Sequence, residues 1–206
     1  MSYGFLDLAS TPSVKAAQAA NGSGEYWSNF HGDRSFERFT DAEAAFIAER
    51  DNFYMATVSE NGWPYIQHRG GPAGFLRLID DKTLAFADFR GNRQYISVGN
   101  LTADNRVSLI LMDYARRRRL KIYARAEIRD LKNDAELASR LALPQYRAKI
   151  ERAVILHLET FDWNCPQHIT PRYTEAELAE AIQPIQQRLA ELEAENQKLR
   201  DMQGGA

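Results

Sequence analysis

Hydrophobic and polar positions change their period twice along this chain, and each change marks a new element type. Near the start, Thr11-Pro12 reads as an N-cap followed by proline at the first helical position, opening an Ala-rich helix over 13–20. Asn21-Gly22-Ser23-Gly24 ends it. Thr40-Asp41-Ala42-Glu43 is a capping box that opens a helix through Glu49, with Ala45, Phe46 and Ala48 available for burial. From there the period drops to that of strands. Strands are predicted over 53–58, 64–69, 75–79 and 83–88, with turns at Glu60-Asn61-Gly62 and Asp80-Asp81. A short helix over 94–101 follows Gly91-Asn92, and the apolar run 107–112 reads as a strand buried on both faces. Over 120–128 apolar and polar residues alternate, as in a half-buried strand. A helix over 134–141, a second over 145–149 and a last strand over 153–160 complete the pattern. Locally pairing strands in this number predict an antiparallel barrel with peripheral helices, not a doubly wound sheet.

The tail has a different period. Leu178, Ile182, Ile185, Leu189, Leu192 and Leu199 are spaced alternately by four and three, with Asn196 in the remaining seam position. The register puts Leu178, Ile185, Leu192 and Leu199 at d, and Ile182, Leu189 and Asn196 at a. Asparagine at an a position favours a parallel two-stranded register, because two facing amides can pair. Arg188 (g) then faces Glu193 (e) of a partner, and Glu195 faces Arg200. The alternative is an amphipathic helix lying on its own barrel. The expected organisation is an N-terminal extension over 1–39, a barrel over 40–173 and a dimeric coiled-coil helix over 174–206.

Composition narrows the function classes. A net charge of −2 on 206 residues offers no global attraction to nucleic acid or anionic membranes, so phosphate binding must come from locally placed arginines. Cys165 is the single cysteine, which excludes an intrachain disulfide and a Cys-rich metal site. His31, His68, His157 and His168 show no metal-ligand spacing, and no metal is expected; His157 reads as a structural histidine within a strand. No apolar run has the ~18 residues a membrane span needs, and no signal peptide is evident, so a cytoplasmic protein is expected. Phosphate-loop and dinucleotide fingerprints are absent from the sequence.

Three segments gather polar groups at strand ends. Gln67-His68-Arg69-Gly70-Gly71 closes a strand, where glycines allow close backbone approach to a ligand and arginine can hold a phosphate bidentately. Asp88-Phe89-Arg90-Gly91-Asn92-Arg93-Gln94 runs from a strand into a helix start, an arrangement suited to anions. Phe161 to Tyr173 follows the last strand and packs Trp163, Asn164, Gln167 and His168 between prolines, as in a segment that covers something. Each has a plainer reading as exposed polar strand end, solvated turn or aromatic loop. Arg116 to Arg119 reads as a solvated hairpin turn.

The order of the capped helix, Gly62-Trp63-Pro64, Tyr65 to Gly71, Gly91-Asn92-Arg93, Asn100-Leu101, Asn105-Arg106-Val107 and the strand Leu120 to Ile128 resembles the pyridoxamine 5′-phosphate oxidase-related FMN-binding split barrels. The likeness runs from about Thr40 to Arg172. It implies a homodimer with FMN at the interface. By position, Gln67, His68, Arg69 and Gly70 would lie along the flavin and its phosphate. Asn92, Arg93 and Gln94 would hold the phosphate end, with Asn100 supporting that loop. Trp163, Gln167 and His168 would approach the ring system from the partner. Where authentic oxidases of the vitamin carry substrate-gripping arginines, this chain has Gln167 and His168, followed only by Arg172. The resemblance therefore implies an FMN-dependent oxidoreductase acting on another small molecule, with NADH or NADPH as an electron source. A non-catalytic flavin-binding or redox-sensing module is the alternative, and a tetrapyrrole-binding protein on the same barrel is a third.

Overall fold

The structure, a computed structural model, describes residues 4–30 and 36–204; His31 lies outside them. Three short helices, α1 (Gly4–Ala9), α2 (Pro12–Ala20) and α3 (Gly24–Ser28), form the N-terminal part. Thr11 caps α2 as its sequence predicts, while α1 and α3 carry no start signal that sequence reading recognised. Helix α4 (Asp41–Ala48) has the predicted capping box: Thr40 N donates to Glu43 Oε2 at 2.9 Å, and Ala42 N donates to Thr40 Oγ1 at 3.3 Å.

Seven antiparallel strands follow: β1 (Asn52–Val58), β2 (Pro64–Gly70), β3 (Arg77–Asp80), β4 (Thr83–Phe89), β5 (Arg106–Asp113), β6 (Arg118–Arg129) and β7 (Ile150–Trp163). Helices α5 (Ile96–Ala103) and α6 (Ala135–Arg140) are inserted between strands, and α7 (Glu175–Gly204) ends the described chain. The sheet order is β2-β1-β5-β6-β7-β4-β3. Although four strands separate β2 from β4 in that order, Arg69 on β2 reaches Asp88 on β4 at 2.7 Å. The sheet therefore rolls up until its two ends meet through side chains rather than through a ladder. This is the split barrel.

Alternation explains what fills it. Phe53 and Met55 of β1, Val107, Leu109 and Leu111 of β5, and Leu120, Ile122 and Ala124 of β6 point inward and are buried with Phe46, Phe75, Phe86 and Phe161. Phe53 stacks on Phe75 and meets Phe86 edge-on, with centroids 5.6 and 5.3 Å apart. The strands buried on both faces are β4 and β7, because α6 lays Leu137 and Leu141 over Ala85, Ala87, Ala153 and Ile155. That corrects the expectation for 107–112: β5 alternates, and Ser108, Ile110 and Met112 on its other face are only half-buried. Composition alone could not show which strand a helix would cover. Residues 145–149 are not helical, and β7 runs to Trp163, absorbing residues read from sequence as part of the segment beyond the last strand. The exposed Arg116 and Arg117 form the expected turn, but Arg118 and Arg119 belong to β6. His157 is exposed on β7, its Nε2 3.3 Å from Glu127 Oε2.

Two compact units are distinguishable, Met1–Asp113 with Arg118–Gln167, and Tyr114–Arg117 with His168–Ala206. In the second, Arg172 lies over the Tyr114 ring at 5.1 Å, and α7 starts from a Thr174 capping box in which Thr174 N donates to Glu177 Oε2. Every residue over 175–203 is exposed. Pro184 lies inside α7, a position the heptad pattern does not reveal.

Candidate functional site

The split between β2 and β4 opens a cavity of about 220 Å³. Residues at odd positions of β2 share one face, and Tyr65, Gln67 and Arg69 line the cavity. Opposite them, β4 turns Asp88 inward on the face that carries Leu84 and Phe86, and a register shift between Asp88 and Phe89 re-aims the chain as it leaves the sheet. The exposed segment Gly91, Asn92, Arg93 and Gln94 then lines the cavity, followed by the start of α5, where Ser97 is buried.

That connection is strained. Arg93 and Tyr95 both adopt left-handed backbone, with φ of 62° and 53°, a region non-glycine residues occupy only when their surroundings hold them there. Asn92 stabilises the turn by accepting from Gln94 N at 3.1 Å. Tyr95 is the N-cap of α5, and its side chain makes no capping hydrogen bond. The first N–H groups of α5 have no intrahelical partner, and Ile96, Ser97 and Val98 border the cavity. Ser97 Oγ donates to Gln67 Oε1 at 2.8 Å, tying helix start to strand. Deeper, the buried Asn100 donates from Nδ2 to Thr57 Oγ1 at 2.9 Å and fixes α5 to β1.

Charge is concentrated on one wall. Asp88 accepts from Arg69 Nη1 at 2.7 Å, and its other oxygen lies 3.5 Å from Arg152 Nε. The latter contact is close enough for attraction without being aligned as a hydrogen bond, so Arg152 Nε is buried with no hydrogen-bond partner among the described residues, and Arg69 Nε is as well. Burial pushes the Asp88 carboxyl up; Arg69 and Arg152 oppose this, and the net direction is upward. Glu151 is pulled down, chiefly by a hydrogen bond from Arg90 Nε at 2.9 Å, with burial opposing and Tyr95 OH assisting. Arg69 and Arg93 in the lining, Arg152 behind them and the uncapped start of α5 are a set of donors able to hold an anion such as phosphate.

The structure thus brings Gln67, Arg69, Asn92, Arg93 and Gln94 to one cavity. It places His68 on the opposite face of β2, exposed and edge-on to Tyr54, with ring centroids 5.5 Å apart. Gly70 and Gly71 are small for internal reasons: a Cβ would come within 2.9 Å of the His68 ring at Gly70 and 2.8 Å of the Phe75 ring at Gly71. Trp163 does not line this cavity. Its Nε1 donates to Glu43 Oε1 at 2.7 Å, its ring meets Phe46 edge-on, and Arg118 lies over it at 4.5 Å. Gln167 is exposed and outside the cavity lining; His168, in the second unit, is exposed with φ of 61°. Sequence reading missed Tyr65, Ser97, Glu151 and the Arg152 behind them, and took Asp88 only as the start of the segment that leads to Gln94. Parity along β2 would have found Tyr65 and set His68 apart. Nothing in the sequence joins Glu151 and Arg152 to this place, because they arrive on β7. Among the described residues no cluster of His, Cys, Asp or Glu could hold a metal ion, and no helix is long and apolar enough to cross a membrane.

Solved structures of several proteins are similar to part of this chain. HupZ of Group A Streptococcus is 19% identical over 66% of this chain and 99% of its own, with a TM-score of 0.47. An FMN-binding protein from Syntrophomonas wolfei subsp. wolfei is 16% identical over 73% and 97%, also at 0.47. A Clostridium acetobutylicum protein related to general stress protein 26 is 16% identical over 63% and 88%, at 0.46. No curated protein matches the chain. The family model described as pyridoxamine 5′-phosphate oxidase matches residues 39–164, more than half of the chain and all of the barrel. The chain belongs to the pyridoxamine 5′-phosphate oxidase family.

Proposed function

We propose that this protein binds FMN by its phosphate in the cavity between β2 and β4 and serves as an FMN-dependent oxidoreductase for a small molecule. The observation that carries the reading is the pair of buried, partnerless Nε atoms of Arg69 and Arg152 beside the uncapped start of α5. The residues present fit a phosphate. Arg69, already oriented by Asp88, would supply donors from the wall, Arg93 would add a guanidinium, and the free N–H groups at the start of α5 would serve as further donors. Gln67 and Ser97 hold these two elements together.

A cavity of about 220 Å³ is smaller than the ~300–1,000 Å³ typical of whole-ligand sites, so it suits the phosphate end while the ring system lies outside it. A second protomer would cover those rings. The exposed Val58, Trp63 and Ile66 on the first hairpin are apolar surface such a partner would bury. Gln167 and His168 are the groups we expect the partner to bring. Bound FMN would supply two-electron chemistry, with NADH or NADPH as the proposed donor. Donors from the protein near the ring would favour the reduced, anionic state. Oxidation of the vitamin itself is not proposed, because Arg172 packs on Tyr114 and no further arginine follows until Arg188 on α7.

The test is absorbance and fluorescence titration of purified protein with FMN. Wild type should bind FMN, and Arg93→Ala should bind it about 10–100-fold more weakly, as expected for loss of a charge-assisted hydrogen bond, with unchanged circular dichroism. Protein that neither carries nor takes up FMN sinks the proposal. Tight binding without reduction by NADH or NADPH would leave a flavin-binding module in place of an enzyme.

A further inference from the structure

We propose that α7 is a parallel, in-register coiled coil with the same helix of a second copy of this chain, independently of what the cleft binds. All six apolar seam residues from Leu178 to Leu199 are between 39% and 67% exposed. They form a stripe about 33 Å long, at about 1.5 Å per residue. Pro184 makes the need for a partner sharper. It cannot donate to the carbonyl of Glu180, and proline inside a helix costs about 3 kcal/mol relative to alanine, so propensity alone does not account for α7. In the heptad Pro184 occupies c, outside the seam, where it leaves pairing unobstructed.

The seam and its flanks choose both the occupant and its direction. With two copies parallel, Asn196 meets Asn196 and the amides satisfy one another. Arg188 faces Glu193, Glu195 faces Arg200, and symmetry doubles both pairs. Among the described residues Arg188 bonds to the exposed Glu191 at 3.0 Å and is itself exposed, so it is available to a partner. Run antiparallel with the seam fully overlapped, Asn196 would face Ile185 with its amide unpaired. Arg200 would face Ala179, leaving only the Arg188–Glu195 pairing across the flanks. A helix that instead docked on an unrelated protein would have no use for this self-complementary charge pattern.

The test uses the full chain with Cys165→Ser as background. Leu199→Cys should form a disulfide-linked dimer in a mild redox buffer, because parallel pairing puts the two residues 199 in one layer. Gln187→Cys, at the outward f position, should not. Adding Arg188→Glu should weaken the Leu199→Cys dimer roughly tenfold in concentration, about 1.4 kcal/mol, and adding Glu193→Arg to that variant should restore it. Cross-linking of Leu199→Cys no greater than that of Gln187→Cys overturns the proposal. So does efficient cross-linking of an Ile182→Cys and Leu199→Cys mixture with none of Leu199→Cys alone: antiparallel helices hold the two residues 199 about 25 Å apart.

Discussion

Two clusters of arginine and aromatic rings occupy different parts of the barrel, and they look alike in the sequence. In the cleft, Arg69 lies over Phe86 at 5.8 Å and Arg152 over Tyr95 at 5.0 Å. At α4, Arg118 lies over Trp163 at 4.5 Å and Arg50 over Phe46 at 4.6 Å. The difference is in the donors. Arg50 uses all three of its nitrogens, Nε on Phe46 O, Nη1 on Met112 O and Nη2 on Glu49, while the Trp163 indole is taken by Glu43. Arg69, which lines the cavity, and Arg152, which lies over Tyr95, keep buried Nε atoms without partners among the described residues. A donor that is buried, charged and unsatisfied is costly unless a ligand or ordered water completes it. The cleft is therefore the candidate site and the α4 cluster a clasp; Arg119 Nε, next along β6 from Arg118, is also buried without a partner among the described residues but lines no part of the cleft.

Arg69→Ala should break this contrast most severely. It leaves Asp88 buried with only the misaligned Arg152 beside it, and removing one partner of a buried pair costs about 3–5 kcal/mol. Urea unfolding should show a loss of that order, and FMN titration should show no binding. Trp163→Phe comes next. It strands Glu43 Oε1, at about 1–3 kcal/mol, while FMN affinity stays within about twofold. A loss of FMN binding as large as that of Arg93→Ala would instead join clasp and cleft into one site.

The two carboxylates should also answer acid in opposite senses. Burial raises Glu43, but its hydrogen bonds from Thr40 and Trp163 together outweigh that and hold it below its ordinary 4.5. Its stabilisation is present above that value and is lost as pH falls through the lowered pKa. Asp88 is raised above 3.8, so its contribution is present below that value and is lost as pH rises through the folded pKa. In unfolding midpoints across the acid range, the advantage of wild type over Glu43→Gln should shrink on acidification, and that over Asp88→Asn should grow. Slopes of the same sign would show that the two ends are not electrostatically distinct. His68→Ala should have the smallest effect, leaving stability and FMN affinity nearly unchanged, because the ring is on the far face of β2. A marked loss of FMN would show that the far face meets flavin through a partner.

Local rules carried the fold a long way. The Thr40 capping box, the turn at Gly62 with φ of 84°, and the alternation of β6 follow from interactions within a few residues. The strands around the cleft were legible for the same reason, as were Arg69 and Arg93. What stayed hidden depends on distant partners. Trp163 reads as a lid because it stands near prolines, yet it is held 120 residues back by Glu43. Glu151 and Arg152 read as ordinary strand polarity until β7 pairs with β4 and delivers them behind Asp88.

The sequence by itself determined most element types, the inward and outward faces of most strands, the arginines of the cavity lining and the heptad of α7, because periodicity and capping are local. Tertiary structure alone decided which arginine donors are consumed and which remain open. That outcome depends on how the sheet closes: rolling β2 toward β4 buries Arg69 against Asp88 with its Nε left without a partner among the described residues, and no property of either segment in isolation fixes that geometry.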